Sequence, residues 1–315
     1  MPGTSRRLFL KQAAIAAGAL AVAPWGSLLR RAQAAPVPAD LAIAHWSGDP
    51  VSGADLQAAA ERLTTEALEA LGGMTRFLSK GDVVWIKPNI GWNRPPEMAA
   101  TTNPDVVAAL VRMCLDAGAK KVKVGDNTCH QAKQCYRSSG IADAAEAAGA
   151  EVVFLDERRY RDMDLGGVRL QTWPVYPEIV EADLVINVPI AKHHGLSRAT
   201  LAMKNYMGVV GGQRNAWHQD LPNCLSDITA FMQPRLTVLD AVRVLTNHGP
   251  QGGSLDDVEQ KNVVAAGTDI VALDAFGAEL LGHEPRRIRT IPAAEERGLG
   301  TADYRSLAVK ELAIA

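Results

Sequence analysis

Between residues 187 and 222 the chain reads "NVPIAKHHGLSRATLAMKNYMGVVGGQRNAWHQDLP", gathering Lys192, His193, His194, Lys204, Arg214 and His218 just after an apolar run. Such a group can receive an anion and act on it. A lysine among other cations has a lowered pKa and serves as nucleophile or base. A guanidinium grips a carboxylate or phosphate through two bonds, and an imidazole moves protons near neutral pH. Lys192, His193 and Lys204 are therefore the expected reactive residues. Asn205, Arg214 and His218, with Lys87, Asn89 and Asn127 from earlier segments, are the expected binding residues for a small anionic ligand. Gly208, Gly211 and Gly212 would let the backbone approach that ligand closely.

The same residues allow another chemistry. His193, His194 and His218 with Asp126 are donors of the kind that hold a transition metal. Neighbouring His193 and His194 would point to opposite faces of an extended chain, so a shared metal requires a bend. Asp126 could instead orient a histidine. Cys129 and Cys135 flank a short loop after Asp126 and Asn127; they could form a disulfide, or hold an iron–sulfur cluster with a third ligand. The cofactor question stays open between a transition metal, an iron–sulfur cluster and neither, and the function between an enzyme acting on a small anion and a periplasmic iron–sulfur or other redox carrier or anion-binding protein without turnover. Several named motifs are missing: there is no G-x-S-x-G elbow, "MGVVGGQR" lacks the phosphate-loop spacing, and proline interrupts "HEP" at His283.

The elements that must position these residues alternate. "LAIAHW" (41–46) and "DVVWIKPNI" (82–90) read as strands, the latter buried on both faces. Asn103 caps a helix that has Pro104 in its first turn and stops at Gly118. "KKVKVGDN", "GIADAAEAAG" and "AEVVFLD" continue as strand, helix and strand, and "GVRLQTW" as a hairpin arm or edge strand. "EADLVINVPIA", "RLTVLDAV" and "NVVAAG" are further strands, and 221–232 and 268–282 are helices. The pattern predicts an α/β fold in which helices flank a mostly parallel sheet, a Rossmann-like three-layer arrangement in one or two lobes, as a single domain over 35–315. Ligands in such folds bind outside the carboxyl ends of the strands. Those ends carry Lys87 and Asn89, Asp126 and Asn127, Lys192 to His194, and Asp240.

A formal charge of −2 on 315 residues, with sequence pI ≈ 6.4, gives no basic footprint for nucleic acid. The N-terminus differs from the rest. "SRRLFLK" precedes "AAIAAGALAVA", and "AQA" at 32–34 offers a cleavage box, which together predict a twin-arginine export signal over 1–34. Its removal would take five basic residues and leave a formal charge of −7. The expected partners are then the twin-arginine translocase and signal peptidase, the location periplasmic, and the membrane contact limited to the signal before cleavage.

"GDVVWIKPNIGWNRPPE", "AGAKKVKVGDNT", "ADLVINVPIAKHHGLSRATLAMKNYMGVVGG", "HQDL" and "AGTDIVALDAFGAELLG" together resemble the domain of unknown function 362 family, in the subgroup with twin-arginine signals. The resemblance implies an α/β protein. Some relatives carry ferredoxin-like iron–sulfur segments, whereas this chain has no C-x-x-C-x-x-C run. A remoter likeness is to the nickel-pincer lactate racemases, which also use lysine and histidines in a cleft.

Overall fold

Apolar runs that stop at a polar or glycine turn make strands buried on both faces, because helices can then cover each side. The computed structural model describes residues 38–315, so the signal expected at 1–34 lies outside the described residues. Its strands are β1 (Leu41–Trp46), β2 (Val83–Pro88), β3 (Lys121–Val124), β4 (Glu151–Val152), β5 (Arg161–Asp164), β6 (Thr172–Val175), β7 (Leu184–Val188), β8 (Ile190–His194), β9 (Arg198–Thr200), β10 (Leu236–Leu245), β11 (Val258–Gly267) and β12 (Val309–Ile314). The helices are α1 (Gly53–Ala70), α2 (Pro104–Asp116), α3 (Ala132–Ser138), α4 (Ile141–Ala147), α5 (Pro177–Val180), α6 (Ala202–Asn205), α7 (Leu221–Met232), α8 (Ile270–Leu280) and α9 (Thr290–Glu296).

The main sheet runs β12-β1-β11-β10-β7-β2-β3-β4, with β8 against β10 and β9. The expected mostly parallel α/β arrangement is what forms. β10, β7, β2, β3 and β4 are parallel neighbours. Antiparallel pairing enters where β11 lies between β1 and β10. The segment joining β10 to β11 is glycine-rich and holds no α-helix, so it returns the chain as a hairpin rather than a crossover. The alternating stretch near 167–173 does become a hairpin arm, shifted to β6 and paired with β5 in a separate two-stranded sheet.

Side chains alternate across the sheet, and two cores result. Val84, Ile86, Val122, Ile186 and Val264 pack with Leu63, Val107, Leu110 and Ile141 from α1, α2 and α4. Trp85, Leu239 and Ala265 point the other way, into a core completed by α7, α8 and α9. The Asn103 carboxamide accepts the Asp105 N–H at 2.9 Å, a cap worth about 1 kcal/mol.

Pro189 determines where a cleft can open. β7 pairs with β2 up to Pro88↔Val188. Past Pro189 the chain resumes as β8, which follows β10 (Asp240↔Ile190) and no longer pairs with β2. Proline has no N–H to continue a ladder, so the sheet splits there, and the carboxyl end of β2 faces the side of β8 across a gap.

Candidate functional site

The gap is a cleft of ≈ 620 Å³. Lys87 and Asn89 reach it from the end of β2, Asp126 and Asn127 from the turn after β3, and Lys192 and His194 from β8. Lys204 and Asn205 come from α6, and Arg214 and His218 from the 3-10 turn at Arg214–Gln219. Of the expected reactive, binding and metal-ligating residues and the two loop cysteines, only His193 and Cys135 do not line it.

At the floor, Lys87 is fully buried. Its ammonium donates to Asp126 Oδ1 at 2.6 Å, the Pro88 carbonyl at 2.9 Å and Asn205 Oδ1 at 3.2 Å. Burial pulls its pKa down and the Asp126 charge opposes that shift. The other Asp126 oxygen accepts the Ile90 N–H at 2.7 Å. All three ammonium protons are thus used, so Lys87 anchors the floor rather than offering itself to a ligand. Asp126 neither orients a histidine nor faces one. Gly208 is required here, because a Cβ would lie 1.8 Å from Asp126 Oδ1 and 2.5 Å from Lys87 Nζ.

Asparagines relay order outward from the floor. Asn205 donates to the Lys87 carbonyl at 3.1 Å and to Asn187 Oδ1 at 2.9 Å, and accepts from Asn89 Nδ2 at 3.2 Å. Asn89 Oδ1 in turn accepts from Lys192 Nζ at 3.2 Å. Asn127 is tied to Val210 O at 2.7 Å. Arg214 donates to the carbonyls of Asn127, Met207 and Thr128 at 3.0, 2.7 and 2.8 Å, and to Cys129 Sγ at 3.8 Å. These bonds make Arg214 a strap between loops, where a ligand-gripping role was expected.

Lys192 and Lys204 are in a different situation. Lys192 donates to Asn89 and to the Ala100 carbonyl, and Lys204 to Met207 Sδ at 3.3 Å. Neither forms an ion pair among the described residues. An ammonium taken out of water without a counter-charge is costly, so its neutral form gains. Burial accordingly lowers Lys192 to about 7 and Lys204 to about 8. His218 Nδ1 lies 3.0 Å from the Asn215 carbonyl and Nε2 3.0 Å from Lys204 Nζ. A carbonyl only accepts, so the hydrogen-bond network assigns the proton to Nδ1 and leaves Nε2 to accept from Lys204. Burial also lowers the His218 pKa. His194 stacks on His218 with ring centroids 5.4 Å apart, and its Nδ1 accepts the Leu196 and Ser197 N–H groups at 3.1 and 3.4 Å. Burial first, then the Lys204 charge, pushes it down to about 2. Burial thus favours the neutral form of both imidazoles.

His193 was expected to react beside Lys192, but strand alternation turns it away from the cleft, where its Nδ1 accepts the Gly249 N–H at 3.0 Å. His194 lines the cleft instead. The four expected metal donors do not converge: Asp126 is held by Lys87, His218 Nε2 by Lys204, and His193 faces elsewhere. Among the described residues no group of three His, Cys, Asp or Glu side chains could hold a metal ion. Cys129 and Cys135 carry free thiols, the first exposed at the cleft and the second buried, with its thiol 3.9 Å from the Gly91 carbonyl. With Cys114 and Cys224 each buried in its own hydrophobic core, the residues present do not fit a cluster. Asp240 is not at the cleft either. β10 runs on past it to Leu245, and its carboxylate accepts the Asn103 and Val242 N–H groups at 2.7 and 3.0 Å. Trp92, Leu196 and Pro250 also line the cleft; as apolar residues in loops they left no chemical signal in the sequence.

A family model described as Domain of unknown function (DUF362) matches residues 84–279. The "Thylakoid-associated protein sll1697" of Synechocystis sp. is 31% identical over 242 residues, covering 74% of this chain and 73% of that protein. Among solved structures, the lactate racemase apoprotein from Thermoanaerobacterium thermosaccharolyticum is 12% identical with a TM-score of 0.45, over 76% of this chain and 56% of that one. A protein from Thermotoga maritima is 12% identical with a TM-score of 0.37, over 79% and 60%. The chain thus spans less than two thirds of either solved structure, and neither similarity is close enough to inform its chemistry.

Proposed function

The chain belongs to the DUF362 family, and from its cleft we propose that it is an enzyme acting on a small anionic substrate. The carrying observation is that Lys192 and Lys204 enter one cleft without a carboxylate partner among the described residues. A carboxylate or phosphate of the substrate supplies the missing counter-charge. Lys204, held by His218 Nε2, is the cation that meets it. Lys192, with its pKa lowered to about 7, is the proton-transfer residue, since an acid–base group works best when its pKa lies near the working pH. Neutral His194 and His218 wall the site without adding charge.

Isothermal titration of the full chain with acetate, propionate, lactate and inorganic phosphate tests this reading. At least one should bind, and Lys192→Met and Lys204→Met should each weaken it by about tenfold or more, as expected for losing one charge-assisted bond. Equal binding by wild type and both variants would refute the assignment.

We also propose that residues 1–34 direct export to the periplasm by the twin-arginine route, a reading supported by the sequence alone. Arg6→Lys/Arg7→Lys should hold the protein in the cytoplasm; unchanged fractionation would remove the proposal.

A further inference from the structure

His218 and Leu196 line two spaces. One is the lysine cleft and the other a groove of ≈ 200 Å³ that also includes Arg198, Asp220, Arg287 and Arg289. The groove is basic on balance. Arg198 and Arg289 form no ion pair among the described residues. Arg287 has only an exposed contact of 3.6 Å to Glu284, and such pairs contribute little. Asp220, the groove's single carboxylate among the described residues, accepts from Asn223 Nδ2 at 3.0 and 3.1 Å and stands 3.8 Å from Arg169.

The chain joins the two spaces over a short distance. Arg198 is the register partner of His194 across the β8–β9 ladder, and directly opposed residues bring their Cβ atoms to about 5 Å. His194 lines the cleft and Arg198 the groove. Arg198 holds φ at +67°, a region where a residue with a side chain costs on the order of 1 kcal/mol. Between the lysines and the arginines stand His218, uncharged, and Leu196, 77% exposed.

We propose that this groove is a second anion subsite, so that the substrate is a short dianion. One anionic end lies against Lys192 and Lys204, the other, a carboxylate or phosphate, against Arg198 and Arg289, and the uncharged middle lies along His218 and Leu196. The planar fork of a guanidinium fits both distal groups. This inference rests on the reading of the cleft as an anion receptor.

The test is calorimetry on the full chain with α,ω-dicarboxylates from succinate to suberate, 3-phosphoglycerate, and monocarboxylates of matched length. At one spacing a dianion should bind about tenfold or more tighter than its monocarboxylate, the gain of joining two weak contacts. Tighter binding of 3-phosphoglycerate than of the dicarboxylate of matched length would show that one of the two subsites prefers phosphate. Arg198→Gln/Arg289→Gln should erase the gain, while Arg286→Gln, whose guanidinium pairs with Glu295 at 2.9 Å, should keep it. Monocarboxylates that bind with no gain for any dianion would overturn the subsite and leave the cleft reading standing, as would a gain that survives the double variant. Failure of every anion to bind would overturn both.

Discussion

Anion binding in this cleft should take up protons, and the amount follows from the two unpaired lysines. Burial holds Lys192 at about 7 and Lys204 at about 8 in the ligand-free protein. At about pH 7.5, roughly a quarter of Lys192 and three quarters of Lys204 are then protonated, by simple titration. A bound anion favours both charges, so binding takes up about one proton at about pH 7.5, nearly two at about pH 9 and almost none at about pH 6. Affinity should therefore fall about tenfold per pH unit near neutrality, fall more steeply above it, and level off in acid. Titrating propionate into the protein in Tris and in Hepes, whose ionisation enthalpies differ, reads the uptake directly. In Lys192→Met it should drop to about a quarter of a proton at about pH 7.5. Stability of the ligand-free protein should move the opposite way. Both lysines bind more protons unfolded than folded above their lowered pKa values, so the melting temperature should rise between about pH 7.5 and 9, and a saturating anion should flatten the rise. If propionate binds with no proton uptake across that range, the lysines are charged in the empty cleft and the reasoning fails.

Two further predictions concern the floor. Asp126→Asn leaves the Lys87 ammonium, now paired at 2.6 Å, buried without a counter-charge, and should cost about 3–5 kcal/mol in urea unfolding; a loss below about 1 kcal/mol would mean that the pair does not anchor the site. Gly208→Ala forces a Cβ to within 1.8 Å of Asp126 Oδ1. It should destabilise by at least the 1–3 kcal/mol typical of overpacking, and clearly more than Gly211→Ala, whose nearest obstacle is the Tyr160 ring at 3.0 Å; equal losses would contradict the close approach.

The sequence made the fold and the place of the site legible because both depend on local pattern. "DVVWIKPNI" and "EADLVINVPIA" are apolar enough to be central strands, and Lys87 and Lys192 follow from where those runs end. The role of each residue was much less legible, because role depends on what a side chain meets across the chain. Lys87 and Lys192 look alike in sequence, yet one meets Asp126 from the end of β3 and is spent, while the other meets only neutral acceptors. Arg214 looks like an anion grip until three carbonyls from two loops claim it.

His193 and His194 show the same limit at one-residue scale. Both were candidates, and the choice rested on which face β8 turns to the gap. Past Pro189 the chain leaves β2 but stays beside β10, which already pairs with β7, and Lys192 and His194 face the opening together. The parity of a strand decides which half of its polar residues can act, and here it selects a lysine and a neutral imidazole and turns the intervening histidine toward Gly249. An insertion of one residue between Pro189 and Lys192 would reverse that selection while leaving the composition of the motif nearly intact. Which of the two histidines lines the cleft beside Lys192 is therefore a property of register, and the apolar runs alone could not have revealed it.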